Sequence, residues 1–403
     1  MTSAARTGPA GSGFTIGNLP FGVFRRPGHQ PRVGVALGRD VIAMAVLAER
    51  GLLPEEVPGE VFRRRHLNGL LELGPSAWGQ TRARLQELIT DGGEIESALV
   101  PLDEVELLLP VRVGDYIDFY SSLAHAENAG LILRPEAPEL PPAWRHLPIG
   151  YHGKAGTVVV SGTPVTRPWG FTGPGAFGPS TKLDFELEVG FVTGPGPVPP
   201  RPLSASEAVG YIFGVVLVND WSARDLQAFE ARPLGPFLGK SFATSISPWV
   251  VPVSALEGAR TSSPTQDPPP AAHLRLEEPW GLDLDLKVTI VRGGQAHTVS
   301  STSFAGHYWT LPQQLAHATS NGASFRAGDL FASGTVSGEG EGQRGSLLEL
   351  TWGGAQPVDL AGGGRLGYLE DGDEVIMRGS ATGVGGGRID LGEVRGAIVP
   401  AAG

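Results

Sequence analysis

The sequence predicts an α+β protein that is mostly β, with a small mixed domain followed by a larger strand-rich domain. The 59 glycines and 35 prolines are interleaved with short apolar runs, a pattern typical of many short strands joined by tight turns. Apolar residues at helical spacing are concentrated before about residue 110. Since 403 residues suffice for two domains, we predict domains at 1–112 and 113–403.

The first domain is predicted to contain short strands and two helices. The runs FTIGNLPFGVF and PRVGVALG favour strands, whereas DVIAMAVLAERGLL and SAWGQTRARLQELITDG have the apolar spacing of helices with one buried face. From Asp115 onward we expect strands and turns with very few helices. Two Pro-rich stretches, near 195–204 and 261–273, are predicted to be exposed loops.

The composition excludes several classes of function. The net charge of −11, from 42 acidic and 31 basic residues, argues against nucleic acid or an anionic membrane as a partner. The absence of cysteine removes disulfides, thiolate nucleophiles and Cys-based zinc sites. The N-terminal stretch has no secretory pattern and no window approaches about 18 uninterrupted apolar residues, so we expect a cytoplasmic protein.

Three acids alternate with apolar residues in TKLDFELEVGFV. Asp184, Glu186 and Glu188 are predicted to share one strand face. Either this face is exposed, or it is enclosed and needs a cation, because three like charges repel. An all-oxygen ligand set selects a hard ion such as Mg²⁺ or Ca²⁺, and Asp118 and Asp220 are candidates to complete it.

A polar cluster follows the apolar strand that ends near Val218. It could be a solvated loop or the floor of a site, and it contains Asn219, Asp220, Arg224, Asp225, Gln227, Glu230, Arg232 and Lys240. His125 lies where a strand end meets a predicted helix start that Ser121 or Ser122 could cap. Near a presumed metal ligand, this histidine could be structural or catalytic.

Segments spread over nearly the whole chain resemble the fumarylacetoacetase family. They are NLPFGVF, DYIDFYSSLAHAENAG, HLPIGYHGKAGTVVVSGTPVTRP, KLDFELEVGF, IFGVVLVNDWSARDLQ, PLGPFLGKSFATSISPWVVP, YWTLPQQLAHATSNG and GDLFASGTVSG. The resemblance implies an N-terminal SH3-like barrel domain and a C-terminal β-rich catalytic domain. It also implies a homodimer that hydrolyses a carbon–carbon bond of a small-molecule substrate to give fumarate and acetoacetate.

The same resemblance implies a role for each matching residue. The metal set is Asp118, Glu186, Glu188 and Asp220, with Lys240 and Thr244 beside it. His125 is the general base and Glu349 orients it, while Arg224, Gln227 and Lys240 surround the cleaved carbonyl. The residues that it implies contact the substrate are Tyr120, Arg134, Tyr151 and Thr335. Two alternatives remain, namely a hydrolase of a related acylpyruvate and a calcium-stabilised binding protein.

Two further expectations concern specificity and assembly. The family typically has Glu-Tyr before its PLGPF segment, whereas this chain has Glu230, Ala231 and Arg232. The lost tyrosine is either neutral or replaced by Arg232 turning inward to bind a substrate carboxylate. The apolar stretches SPWVVP and LPIGY are expected to supply a self-complementary dimer patch.

Overall fold

The computed structural model describes residues 13–362 and 364–402, which form a mostly β structure with several helices. The α-helices are α1 Met44–Glu49, α2 Asn68–Leu71, α3 Gly74–Asp91, α4 Leu123–Leu133, α5 Ala205–Ala208, α6 Arg224–Glu230, α7 Leu311–Thr319 and α8 Leu347–Leu350. The strands are β1 Phe21–Arg25, β2 Arg32–Leu37, β3 Asp40–Ala43, β4 Leu99–Pro101, β5 Glu106–Leu108, β6 Tyr116–Phe119, β7 Gly150–His152, β8 Val158–Val160, β9 Val165–Thr166, β10 Trp169–Gly173, β11 Ala176–Pro179, β12 Leu183–Asp184, β13 Leu187–Thr193, β14 Ile212–Asp220, β15 Ser222–Ala223, β16 Thr244–Ile246, β17 Trp249–Pro252, β18 Arg260–Thr261, β19 Gly281–Leu282, β20 Leu284–Arg292, β21 Gln295–Ser303, β22 Leu330–Ala332, β23 Val358–Asp359, β24 Arg365–Leu366, β25 Glu374–Thr382 and β26 Arg388–Val399.

One large sheet runs through both halves of the chain. Its strand order is β4-β3-β2-β1-β17-β14-β13-β22-β6-β7, with β5 on β1, β16 on β14 and β8 on β16. A second sheet has the order β21-β20-β25-β26-β9. Since β1 pairs with β17, the N-terminal strands continue directly into the strands that carry the site.

The N-terminal strands form an open sheet in the described residues. Strands β4, β3, β2 and β1 pair in turn, and β5 pairs with the other edge of β1. No pairing between β4 and β5 closes this sheet within residues 13–362 and 364–402, so the predicted closed SH3-like barrel is not confirmed.

Two predictions about the helices are corrected, and one is confirmed. The first four residues of the first predicted helix, 40–43, are strand β3, because the β-branched Val41 and Ile42 pair with β2, and α1 spans only Met44–Glu49. The second predicted helix is α3, which ends before Gly92 at a φ of 89°. Helices are also more frequent after residue 115 than expected, since α4 and α7 span 11 and 9 residues.

Strand β14 lies between two hydrophobic cores. Val215 and Leu217 pack into the core that includes the second sheet, whereas Val216 and Val218 pack into the core of the N-terminal region. All nine of its residues are buried. Because its end is fixed from both sides, Asp220 is delivered to a rigid position.

In the described part of the chain, no helix has the length and apolar character needed to cross a membrane.

Candidate active site

A cavity of about 490 Å³ opens where several strand ends, α4, α6 and a loop meet. It is lined by Asp118, Phe119, Tyr120, His125, Ala129, Leu133, Ile149, Gly150, Tyr151, Glu186, Glu188, Arg224, Gln227, Pro233, Leu234, Gly235, Pro236, Lys240, Thr335 and Leu348. Apolar walls surround a small number of charged groups, as in most small-molecule sites.

The acidic strand is enclosed, so the exposed-strand alternative is wrong. Asp184, Glu186 and Glu188 are 0%, 5% and 0% exposed. The strand is interrupted between β12 and β13, and Glu186 bridges to Ser346 instead. Asp184 turns to Arg224, whose Nε donates to it at 2.8 Å, and it also accepts hydrogen bonds from the N–H groups of Leu347 and Leu348. These contacts satisfy Asp184 without a metal.

Three carboxylates converge on one point. Asp118, Glu188 and Asp220 each offer an oxygen, and these oxygens lie within 4.8 Å of one another. Oε2 of Glu188 accepts a hydrogen bond from the N–H of Gly334 at 3.2 Å, whereas its buried Oε1 has no hydrogen-bond partner among the described residues. Gly334 has a φ of 81°, and a Cβ there would lie 2.3 Å from the carbonyl oxygen of Phe119. The glycine therefore lets the backbone reach Glu188.

Burial and mutual repulsion disfavour the charged forms of two of these carboxylates. Burial, then Asp118 and Asp220, raise the pKa of Glu188 well above its ordinary value. Burial, offset in part by Lys154, raises the pKa of Asp118 to about 7. A hard cation with oxygen ligands fits here, because it would satisfy the free Glu188 oxygen and offset the repulsion.

Two basic side chains hold the fourth acid, Glu186. Its Oε1 lies 2.9 Å from Arg224, and its Oε2 is paired with Nζ of Lys240. Nζ of Lys240 also lies 2.9 Å from Oδ2 of Asp220. Burial opposes ionisation of Glu186 and Asp220, but the basic neighbours outweigh it and lower the pKa of both. Glu186 lies outside the converging triad of the described residues.

A histidine and a glutamate form a buried pair at the cavity wall. Nδ1 of His125 lies 2.7 Å from Oε2 of Glu349. The carboxylate also accepts hydrogen bonds from Asn128 at 3.0 Å and from the hydroxyls of Ser337 and Ser346, both at 2.9 Å. Burial opposes ionisation of Glu349, but His125, Asn128 and Ser337 lower its pKa. Since Glu349 holds one ring nitrogen, the other is available to a ligand.

The start of helix α4 sets the position of His125. Ser122 is its N-cap, and its hydroxyl accepts a hydrogen bond from the N–H of His125 at 3.4 Å. This confirms the expected cap and selects Ser122 over Ser121. The ring of Tyr120 meets His125 edge to face at 5.3 Å, which fixes the imidazole from a second side.

Most of the remaining predicted residues lie in or beside the cavity. Tyr151 donates a hydrogen bond to Asp118 at 2.7 Å, and Thr335 is a buried part of the cavity wall. Gln227 accepts from Arg224 at 3.1 Å. Thr244 does not line the cavity, and its hydroxyl donates a hydrogen bond to Asp220 at 3.3 Å. Arg134 is the C-cap of α4, outside the lining residues.

Two family models match the chain. "Fumarylacetoacetase N-terminal" matches residues 17–110, and "Fumarylacetoacetate (FAA) hydrolase C-terminal" matches residues 116–399. A fumarylacetoacetase from Caenorhabditis elegans is 46% identical, with 98% of each chain covered. The chain belongs to the fumarylacetoacetase family. The human fumarylacetoacetase is a further relative, 44% identical with 97% of each chain covered.

Solved structures support the fold of this family. A fumarylacetoacetate hydrolase from psychrophilic Exiguobacterium antarcticum has a TM-score of 0.55 at 17% identity, covering 95% of this chain and 100% of its own. A maleylpyruvate hydrolase from Sphingobium has a TM-score of 0.53 at 15% identity, again covering 95% and 100%. At such low identity the likeness concerns the fold alone.

Sequence reasoning missed the groups that support the site. Lys154 is among them, with its Nζ 2.5 Å from Oδ1 of Asp220. Asn128, Ser337 and Ser346 are the others, since each donates to Glu349. A signal existed only for Asn128, which follows His125 by three residues and so shares its helix face.

The segment that departs from the family pattern does not place its arginine in the cavity. Arg232 is exposed and is absent from the lining residues, whereas the next four residues, 233–236, line the cavity. The hypothesis that Arg232 turns inward is therefore wrong for this structure.

Proposed function

We propose that this chain hydrolyses the carbon–carbon bond of fumarylacetoacetate to give fumarate and acetoacetate, the last step of tyrosine breakdown. The observation that carries the proposal is that His125, paired with the buried Glu349, lines the same cavity as Asp118 and Glu188 of the convergent carboxylate triad. The relatives named fumarylacetoacetase, at 41–46% identity over nearly the full chain, support the substrate.

His125 acts as the general base in this proposal. Its free ring nitrogen takes a proton from the attacking water, which adds to one carbonyl carbon of the diketone. Glu349 holds the ring and stabilises the positive charge that develops on it. The bond between the attacked carbon and its neighbour then breaks, and its electron pair leaves with the acetoacetate fragment. Such proton transfer contributes about 10²–10⁴ in rate.

Arg224, Gln227 and Lys240 supply positive charge and an amide to the same cavity. Arg224 and Lys240 are 6% and 4% exposed, so their charges act in a desolvated environment. Their carboxylate neighbours raise the pKa of both above ordinary values despite burial, so both stay charged. Lys240 donates a proton to the leaving carbon, and its ammonium group is restored by the proton that the newly formed carboxylic acid releases.

A divalent cation fits the oxygens of Asp118, Glu188 and Asp220. We propose Mg²⁺ or Ca²⁺, because all of the ligands are hard oxygens. When bound, the cation supplies Lewis-acid stabilisation of the negative charge that develops on the substrate. Glu186 completes the charge of the site, and Thr244 steadies Asp220.

The tyrosines and Thr335 are proposed to orient the substrate. Tyr120 and Tyr151 line the cavity, and burial raises the pKa of both hydroxyls, so each remains a hydrogen-bond donor. Arg134, at the C-terminal end of α4, is proposed as a further contact for a substrate carboxylate.

We also propose the domain boundary at 112/113, an SH3-like relationship for the N-terminal strands, a cytoplasmic location and a homodimer. The stretch SPWVVP cannot form the dimer patch, because residues 247–252 are buried. A better candidate is a set of exposed apolar side chains on two segments: Trp169, Phe171, Phe177, Phe229, Leu234, Phe237 and Leu238. The two segments are neighbours, since Leu226 of α6 lies beside Gly170 of β10.

The function is tested by incubating the purified chain with fumarylacetoacetate and separating the products. We expect equal amounts of fumarate and acetoacetate, loss of turnover after exhaustive chelation, and recovery with Mg²⁺ or Ca²⁺. A lower melting temperature after chelation is also expected, because the carboxylates then repel one another. Full turnover in a verified metal-free sample would contradict the metal assignment. Turnover of maleylpyruvate without turnover of fumarylacetoacetate would contradict the substrate assignment.

A further inference from the structure

Lys154 places a buried ammonium group directly against the carboxylate triad. Its side chain is 2% exposed. The Nζ atom lies 2.5 Å from Oδ1 of Asp220 and 3.3 Å from Oδ2 of Asp118. The rings of Tyr116 and Tyr151 flank it, with centroids 5.0 and 5.5 Å away. The group therefore bridges two of the three converging carboxylates.

The backbone at this position is unfavourable for lysine. Lys154 has a φ of 53° and a ψ of 14°, which is the left-handed region that non-glycine residues rarely adopt. It follows Gly153, which has a φ of 139°. The chain accepts this conformation while it directs the ammonium group inward, although the backbone on either side is partly exposed.

A charge count gives the consequence of this placement. Five buried carboxylates meet here, namely Asp118, Asp184, Glu186, Glu188 and Asp220. Three buried basic groups face them, namely Lys154, Arg224 and Lys240. With all five carboxylates ionised, as cation binding requires, the cluster has two uncompensated negative charges apart from the separate His125–Glu349 pair. One divalent cation neutralises that excess.

We propose that Lys154 is a positioning residue that sets the charge selectivity of the carboxylate site, so that divalent cations are favoured over trivalent ones. This inference rests on the proposed cation site. Removing the ammonium group leaves a third uncompensated negative charge. Since Coulomb attraction scales with the charge of the ion, a trivalent ion gains more from that change than a divalent ion does.

The test measures Tb³⁺ and Ca²⁺ affinities of chelator-stripped full-length protein, by tyrosine-sensitised Tb³⁺ luminescence and by Ca²⁺ competition. We expect Lys154→Met to increase the preference for Tb³⁺ over Ca²⁺ by about tenfold or more. Lys154→Arg keeps the charge and should stay within about threefold of wild type. Lys287→Met is the matched control, because Lys287 is exposed on β20 in the second sheet.

An unchanged Tb³⁺ preference in folded Lys154→Met overturns the proposal, and so does an equal shift in Lys154→Arg, since charge would then not be the cause. Lys154→Gln carries the same test if the methionine variant does not fold. Wild-type protein that binds neither ion would instead overturn the cation site itself. Failure of this inference is therefore distinguishable from failure of the proposed function.

Discussion

Replacing Glu349 by glutamine should separate the charge of the Glu349–His125 pair from its geometry. Glu349 is 0% exposed; its Oε2 accepts hydrogen bonds from His125, Ser337 and Ser346, and its Oε1 accepts one from Asn128. A glutamine can keep its carbonyl at the first position and turn its amide toward Asn128, whose side-chain amide can flip to accept. The variant therefore loses the negative charge and little else.

The magnitude follows from the lost charge. Hydrogen bonds to charged groups contribute about 1.5–3 kcal/mol, so kcat should fall by about 10- to 150-fold. KM should stay within about threefold, because the charge acts mainly in the transition state, when the imidazole is protonated. The assay is the steady-state rate of fumarylacetoacetate loss, with melting temperatures measured in parallel.

The matched control for this prediction is Glu349→Ala. It leaves the donors of Ser337 and Ser346 without their acceptor, so it should lower both kcat and the melting temperature. A Glu349→Gln variant that keeps more than about half of the wild-type kcat would refute the proposed role of the Glu349 charge. A loss of stability in the glutamine variant equal to that of alanine would refute it too.

Three further predictions concern a buried histidine, the departing segment and assembly. Burial lowers the pKa of His307 to about 3. Between about pH 6.5 and pH 3, this histidine is therefore protonated in the unfolded chain but not in the folded one. The free energy of unfolding should fall by about 2 kcal/mol from pH 7 to pH 5 as a result. His307→Gln, which can still donate to the Ser333 carbonyl, should remove that part of the decrease, and an unchanged pH dependence of unfolding would contradict this. Arg232→Ala should leave KM within about twofold of wild type, because Arg232 lies outside the cavity. A large rise in KM would instead support the hypothesis that Arg232 binds the substrate. Light scattering should give twice the chain mass of 42.2 kDa, and Phe237→Glu should shift it toward a monomer; a single chain mass for wild type would exclude the dimer.

The parts of the fold that follow from local sequence were predictable. Val215 to Val218 form a buried strand because a continuous apolar run needs cover on both faces, and Ser122 caps α4 as its hydroxyl allows. The division of DVIAMAVLAERGLL was not predictable from periodicity. Val41 and Ile42 satisfy helical spacing as well as pairing with β2, and the tertiary partner decides between them.

The candidate site was predictable where charge repulsion demands a partner. The predicted metal set is Asp118, Glu186, Glu188 and Asp220. The oxygens of Asp118, Glu188 and Asp220 do converge, whereas Glu186 pairs with Arg224 and Lys240. Asp184 shared the predicted face, yet the break before β13 turns it to Arg224. Alternation in a sequence cannot show such a break.

Lys154 could not be found from the sequence for a different reason. Its inward direction depends on a left-handed backbone conformation, which the neighbouring Gly153 does not by itself predict. Ser337 and Ser346 were hidden because serine is common in loops, and only the fold brings both hydroxyls to Glu349.

The turnover of fumarylacetoacetate by His125→Ala, compared with wild type at saturating substrate and equal metal loading, tests the central claim most directly. The claim is that this histidine, held by Glu349 at 2.7 Å, takes the proton from the attacking water. The prediction is a fall in kcat of about 10²–10⁴-fold with little change in KM and a folded, metal-binding protein. A folded variant that retains more than about a tenth of wild-type turnover would contradict it.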